Sequence, residues 1–249
     1  MIFPDWLLPL FFMAIAFLYA SVGFGGGSSY LAILAVVGLP FAEIRLTALI
    51  CNVIVVTGGT LIFFQNKQLD FRKILPLVLA SVPLAFLGAR MRIEEDTFFK
   101  LLGISLLVAS TLLWFQRQKP VETNAVAIAQ PSRDGLLGGS IGLLSGMVGI
   151  GGGIFLSPLL HFFRWDTARK IATTASVFIL ANSLSGIAGQ LSNLPTNLDW
   201  DRIALLGAAV FVGGQVGSRI SLVRFNHLII LRVTAILVFA AGIEVLWKH

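Results

Sequence analysis

The sequence predicts an all-α, polytopic integral membrane protein made of two structural repeats, inverted relative to each other. Three observations lead there. The 249 residues are 57% hydrophobic and only 12% charged, with a mean hydropathy of +0.90, so there are too few polar side chains to clothe a water-soluble globule. Apolar runs long enough for a hydrocarbon core of about 30 Å recur along the chain. A glycine-rich stretch also occurs twice, as Gly23-Phe24-Gly25-Gly26-Gly27 and Gly149-Ile150-Gly151-Gly152-Gly153.

Taken in order, residues 5–22 read as a helical span, the first glycines follow, and residues 28–38 give a shorter helix ended by Pro40. Residues 5–38 as one straight helix would reach about 50 Å, so the chain has to turn back at the glycines. Spans at 46–64, 74–89 and 97–115 complete the first half. The second half repeats the plan with 135–148, the second glycines, 154–163, 171–191, 203–218 and 228–247. We therefore expect a first membrane repeat at 1–118, a polar linker at 119–134 and a second repeat at 135–249, with about eight transmembrane helices whose first and fifth elements are broken by glycine.

The duplication is visible residue by residue. Aligning the glycines puts Thr47 opposite Thr173; Leu69-Asp70-Phe71 matches Leu198-Asp199-Trp200, and Gly88-Ala89-Arg90 matches Gly217-Ser218-Arg219. Charge argues for inversion. With the N-terminus outside, an inverted second half collects Lys67, Arg72, Lys73, Arg117, Lys119, Arg133, Arg164, Arg169, Lys170, Arg219 and Arg224 on the cytoplasmic side, leaving Arg45, Arg90, Arg92, Arg202 and Lys248 outside. A parallel arrangement divides the same cations evenly, against the positive-inside rule.

Composition also excludes. A net charge of +6 scattered over short loops is a topology signal, not a nucleic-acid surface. The single Cys51 excludes an intramolecular disulfide or a Cys-based metal site. Ala14-Ile15-Ala16 resembles a leader cleavage site, but no Lys or Arg precedes it, so the segment is expected to belong to the fold. No Gly-Lys-Ser/Thr follows either glycine cluster and no strand precedes one, so no nucleotide cofactor is expected. An intramembrane hydrolase would need paired Asp or a nucleophile elbow; Ser145 with His161 or His227 is the nearest approach, and an enzyme is not expected.

A glycine cluster at membrane depth is tolerated where protein or a polar cavity surrounds the opened backbone. The free N–H groups and helix N-termini after it suit a small anion. The candidate substrate-binding residues are Gly25, Gly26, Gly27, Ser28, Thr47 and Asn52 in the first half and Gly151, Gly152, Gly153, Thr173, Thr174 and Asn182 in the second. No carboxylate accompanies them, which argues against a metal or other cation site. Arg90 and Arg219, at equivalent helix ends, are candidates for gating or relay, since guanidinium binds oxyanions through paired N–H groups.

Ser21-Val22-Gly23-Phe24-Gly25-Gly26-Gly27 with Leu39-Pro40, and Ser145 through Gly153 with Arg169-Lys170-Ile171-Ala172-Thr173-Thr174, resemble the TauE/SafE family of membrane transporters, and the layout is similar over nearly the whole chain. The resemblance implies a multi-pass protein of the bacterial inner membrane that moves sulfite, organosulfonates or related small sulfur-containing anions by alternating access, coupled to a proton or sodium gradient. A homodimer is compatible with it. A passive anion channel and a non-transporting membrane scaffold are the rival readings.

Overall fold

The computed structural model describes residues 6–65, 69–116, 130–191, 198–220 and 227–248. The expected loop cations Lys67, Arg117, Lys119 and Arg224, and most of the expected linker, lie outside them. The described elements are α1 (Leu7–Ser21), α2 (Gly27–Val37), α3 (Phe41–Gln65), α4 (Phe71–Arg90), α5 (Glu95–Phe115), α6 (Pro131–Val148), α7 (Gly153–Phe162), α8 (Ala168–Gln190), α9 (Trp200–Ile220) and α10 (His227–Lys248). Helix α6 starts within the stretch read as linker, with Pro131 in its first turn, where a missing N–H costs nothing. Helix α3 starts just after Pro40, five residues before the apolar run suggested, which draws Glu43 and Arg45 into the helix.

In each break the helix that follows starts from a glycine in the left-handed region. Gly26 (φ 90°) and Gly152 (φ 81°) are the N-caps of α2 and α7, a conformation that costs an L side chain about 1–2 kcal/mol. The chain turns back there, as the length argument requires. Phe12 in α1 stacks on Tyr30 in α2 with ring centroids 4.6 Å apart, and the Tyr19 hydroxyl shares a 2.7 Å hydrogen bond with that of Ser29.

Cross-contacts set the helix directions. Lys73, in the first turn of α4, pairs with Asp166 just before α8 at 2.8 Å, while Ser185, far along α8, donates to the carbonyl of Val82. Helices α4 and α8 are thus parallel. Arg45, near the start of α3, donates to the Ala89 carbonyl at the end of α4, so α3 is antiparallel to α4 and hence to α8. Arg202 in the first turn of α9 pairs with Glu43 in the first turn of α3 at 2.9 Å. The two ion pairs therefore close opposite ends of the bundle, separated by the length of α3, about 37 Å for its 25 residues.

The first helix of each half packs mainly on the fourth helix of the other, α1 on α9 and α6 on α4. Small residues four apart make this close approach possible. Gly138, Gly142 and Gly146 of α6 lie against the backbone of Leu77, Ser81 and Ala85, and Gly213 and Gly217 of α9 lie against Met13 and Phe17. Equivalent helices thus enter from opposite ends, which is the expected inversion.

Among the described residues, α3, α4, α5, α8 and α10 are long and apolar enough to cross a membrane, and α1, α2 and α7 are shorter apolar helices. The α3 and α8 windows are 67% and 61% buried against 28% for α4, which makes α3 and α8 the central pair. Exposed Leu75, Leu79, Ile104, Val108, Phe211, Ile236 and Phe239 give the outer helices the apolar surface that lipid demands.

Candidate functional site

The two glycine breaks meet on α3. Asn52 accepts a hydrogen bond from the Gly27 N–H at 2.9 Å and donates to the Ile150 carbonyl at 3.0 Å, so one fully buried amide joins both breaks. A side chain on Gly25 or Gly151 would run into Asn52 and Ile179, and one on Gly153 into Ile179. Around the first break Ser176 donates to the Gly23 carbonyl at 2.8 Å, and Ser28 and Ser29 share the Tyr19 hydroxyl.

Other polar groups are left over. The N–H groups of Gly25, Gly26, Ile150, Gly151 and Gly152 make no hydrogen bond among the described residues. Asn182 is buried with neither amide atom bonded, and the Ser183 hydroxyl, also unbonded, lies 3.1 Å from where a Gly151 Cβ would stand. The Thr47 and Tyr30 hydroxyls are likewise buried without a partner. A buried polar group left unpaired costs about 1–3 kcal/mol. The Ser183 hydroxyl beside Gly151 and the Tyr30 hydroxyl beside Gly26 put such groups at both breaks, where a polar ligand would complete them.

The structure brings Gly25, Gly26, Gly27, Asn52, Gly151, Gly152 and Gly153 together, with Ser28 beside them. Thr173 bonds back to the Arg169 carbonyl in its own helix at 2.9 Å, and Thr174 is buried on α8. Arg90 and Arg219 are not brought to the breaks: both are exposed, at the ends of α4 and α9, and Arg90 lies over the Phe86 ring. Glu244 is exposed on α10.

Sequence reasoning missed Arg45. Read as an outside loop cation, it is only 5% exposed, and its Nη2 donates to the Gly146 carbonyl at 2.9 Å and the Ala89 carbonyl at 3.3 Å, while Nε has no partner. The signal was Pro40, which sets the helix start a full turn before Arg45. The cross-bundle ion pairs were missed for a different reason, since Lys73–Asp166 and Glu43–Arg202 join residues far apart in sequence. Asp166 is also 3.6 Å from Lys170. Burial would raise its carboxyl, but Lys73, the Thr167 N–H and Lys170 hold it below the usual carboxylate range.

Glycine-opened backbones facing each other inside an inverted helical bundle define the class of inverted-repeat membrane transporters. The family profile described as Sulfite exporter TauE/SafE matches residues 8–245. The chain is also 31% identical over 248 residues to the "Probable membrane transporter protein y4hK" of Sinorhizobium fredii, covering 96% of this chain and 97% of that protein. No solved structure matches it. The chain belongs to the TauE/SafE family and is a multi-pass membrane transporter.

Proposed function

We propose that the chain moves small sulfur-containing oxyanions, sulfite or organosulfonates, across the bacterial inner membrane through the meeting point of the glycine breaks. It does so as a transporter with no catalytic step. One observation carries this reading: at the second break the unbonded Ser183 hydroxyl lies 3.1 Å from where a Gly151 Cβ would stand, the N–H groups of Gly151 and Gly152 are unbonded among the described residues, and no carboxylate belongs to this group. That donor-rich lining offers hydrogen bonds to an oxyanion. Gly25 to Ser28, Thr47, Asn52, Thr173 and Thr174 complete the proposed site.

Alternating access is supported by the ion pairs at opposite ends. Lys73–Asp166 and Arg202–Glu43 each join a residue of one half to a residue of the other, so parting one while keeping the other opens the central site to one side. Arg90 and Arg219, exposed in the last turns of α4 and α9, lie at opposite ends of the bundle, where a gating or relay cation would act. Arg72, Lys73, Arg133, Arg164, Arg169 and Lys170 sit at the Lys73 end, which we place in the cytoplasm. A proton or sodium gradient supplies the energy, and a homodimer would pair two such units in the bilayer.

Flux of sulfite and methanesulfonate into proteoliposomes, with and without pH or sodium gradients, tests this. We expect saturable, gradient-dependent flux. Gradient-independent, non-saturating flux would instead identify a channel, and no flux beyond empty liposomes would overturn the transport of these anions.

A further inference from the structure

A buried guanidinium needs a reason to be where it is. Arg45 lies within the α3 span, 5% exposed, and among the described residues it makes no ion pair. The carboxylate nearest in sequence, Glu43, is held by Arg202. The Ala89 and Gly146 carbonyls, in the last turns of α4 and α6, take up Nη2. These helix ends carry partial negative charge and make burial of the cation tolerable. Yet Nε has no partner. An ionised side chain inside a membrane protein is expensive, and spare donors make it more so.

Its position relates it to the second glycine break. A side chain at Gly149 would meet the Cα, Cβ and Cγ of Arg45, while one at Gly151 would meet Asn52 and Ser183. Two residues of chain span at most about 7 Å. Arg45 and Asn52, two helical turns apart on one face of α3, therefore flank this break along its length. At the matching place in the first break, Gly23 lies against Ala172 instead.

Resting on the function proposed above, we infer that Arg45 is the substrate's counter-charge, binding a monoanionic oxyanion at the second break through its spare N–H groups and selecting it against neutral molecules of the same shape. Helix-end carbonyls hold the guanidinium when the site is empty. The ligand's oxygens take its unused donors when the site opens at the Arg202 end, to which Arg45 is nearer.

The test compares methanesulfonate with dimethyl sulfone, a neutral molecule of similar size, using thermal stability of the purified protein and competition for uptake in proteoliposomes. Wild type should be stabilised by methanesulfonate and not by dimethyl sulfone. Arg45→Gln should lose that difference and raise the KM for methanesulfonate by about tenfold or more, the loss of a charge-assisted hydrogen bond. Arg45→Lys, which keeps the charge and a donor for the helix ends, should fold normally, with an intermediate KM and little change in maximal rate. Arg92→Gln, at an exposed cation beyond α4, should match wild type.

If wild type transports but the KM of Arg45→Lys and of Arg45→Gln is unchanged, the assignment of Arg45 falls and transport stands. Should methanesulfonate stabilise wild type in an Arg45-dependent way without any uptake, the transport proposal falls and the binding role stands. Absence of any methanesulfonate-dependent stabilisation in wild type overturns Arg45 as an anion ligand.

Discussion

The two glycine breaks have nearly the same sequence and different surroundings. The first is held by side chains at both ends, with the Gly27 N–H on Asn52 and the Gly23 carbonyl on Ser176. The second has one such bond, from Asn52 to Ile150, with the unbonded Ser183 hydroxyl beside Gly151 and the Arg45 side chain beside Gly149. Thus a duplicated backbone feature has been given two roles by its neighbours. Both keep unbonded N–H groups, but the first is held by more side-chain bonds and the second has the buried Arg45 beside it.

The largest expected effect falls where both breaks are alike. Gly26→Leu and Gly152→Leu place a side chain on left-handed backbone, against Tyr30 and Phe178 respectively. Uptake should vanish in both while the protein still reaches the membrane, and full uptake by either variant would remove that break from the mechanism. Next comes Asn52→Ala, which cuts the bonds to both breaks and should lower stability by about 2–4 kcal/mol, read as a drop in melting temperature in detergent. By contrast, Asn182→Leu removes an amide that bonds nothing. It should leave stability unchanged or raised by up to about 1 kcal/mol while weakening anion binding. Equal destabilisation by the two Asn variants would erase the contrast between the bonded and the unbonded amide.

The ion pairs should differ more modestly. Asp166 is 2% exposed and touches two lysines, whereas Glu43, 8% exposed, touches one cation, Arg202, which Asp199 shares. Asp166→Asn should cost about 2 kcal/mol and Glu43→Gln about 1 kcal/mol. Because the folded Asp166 carboxyl titrates below its ordinary range, its contribution is fully present above the unfolded value near 4 and is lost as pH falls through the lower folded value. Melting temperature measured from neutral to acid pH should therefore fall less steeply in Asp166→Asn than in wild type.

Much of the fold could be read before any coordinates, because in lipid a backbone has few options. Apolar run length marks the spans, and glycines too dense for a helix mark the returns. Asn52 and Asn182 were also legible as polar groups at depth, but not which would find partners. That depends on register across the α3–α8 crossing, where Asn52 reaches Ile150 while Asn182 finds no partner among the described residues. Arg45 was misread because hydropathy blurs the first turn of a helix. Its burial comes from the ends of α4 and α6 converging on it, a tertiary fact without local signature. Arg90 and Arg219, equivalent in sequence and attractive as a pair, are exposed at helix ends away from the breaks.

The exchange of first helices between halves bears on how the protein is made. The glycine-lined partner of α1 is α9, which the ribosome produces only after α2 to α8, so the α1–α2 hairpin must wait in the bilayer with its docking stripe uncovered. Truncation before α9 strands that hairpin, so docking of the first half's opening helix is gated by synthesis of the second half.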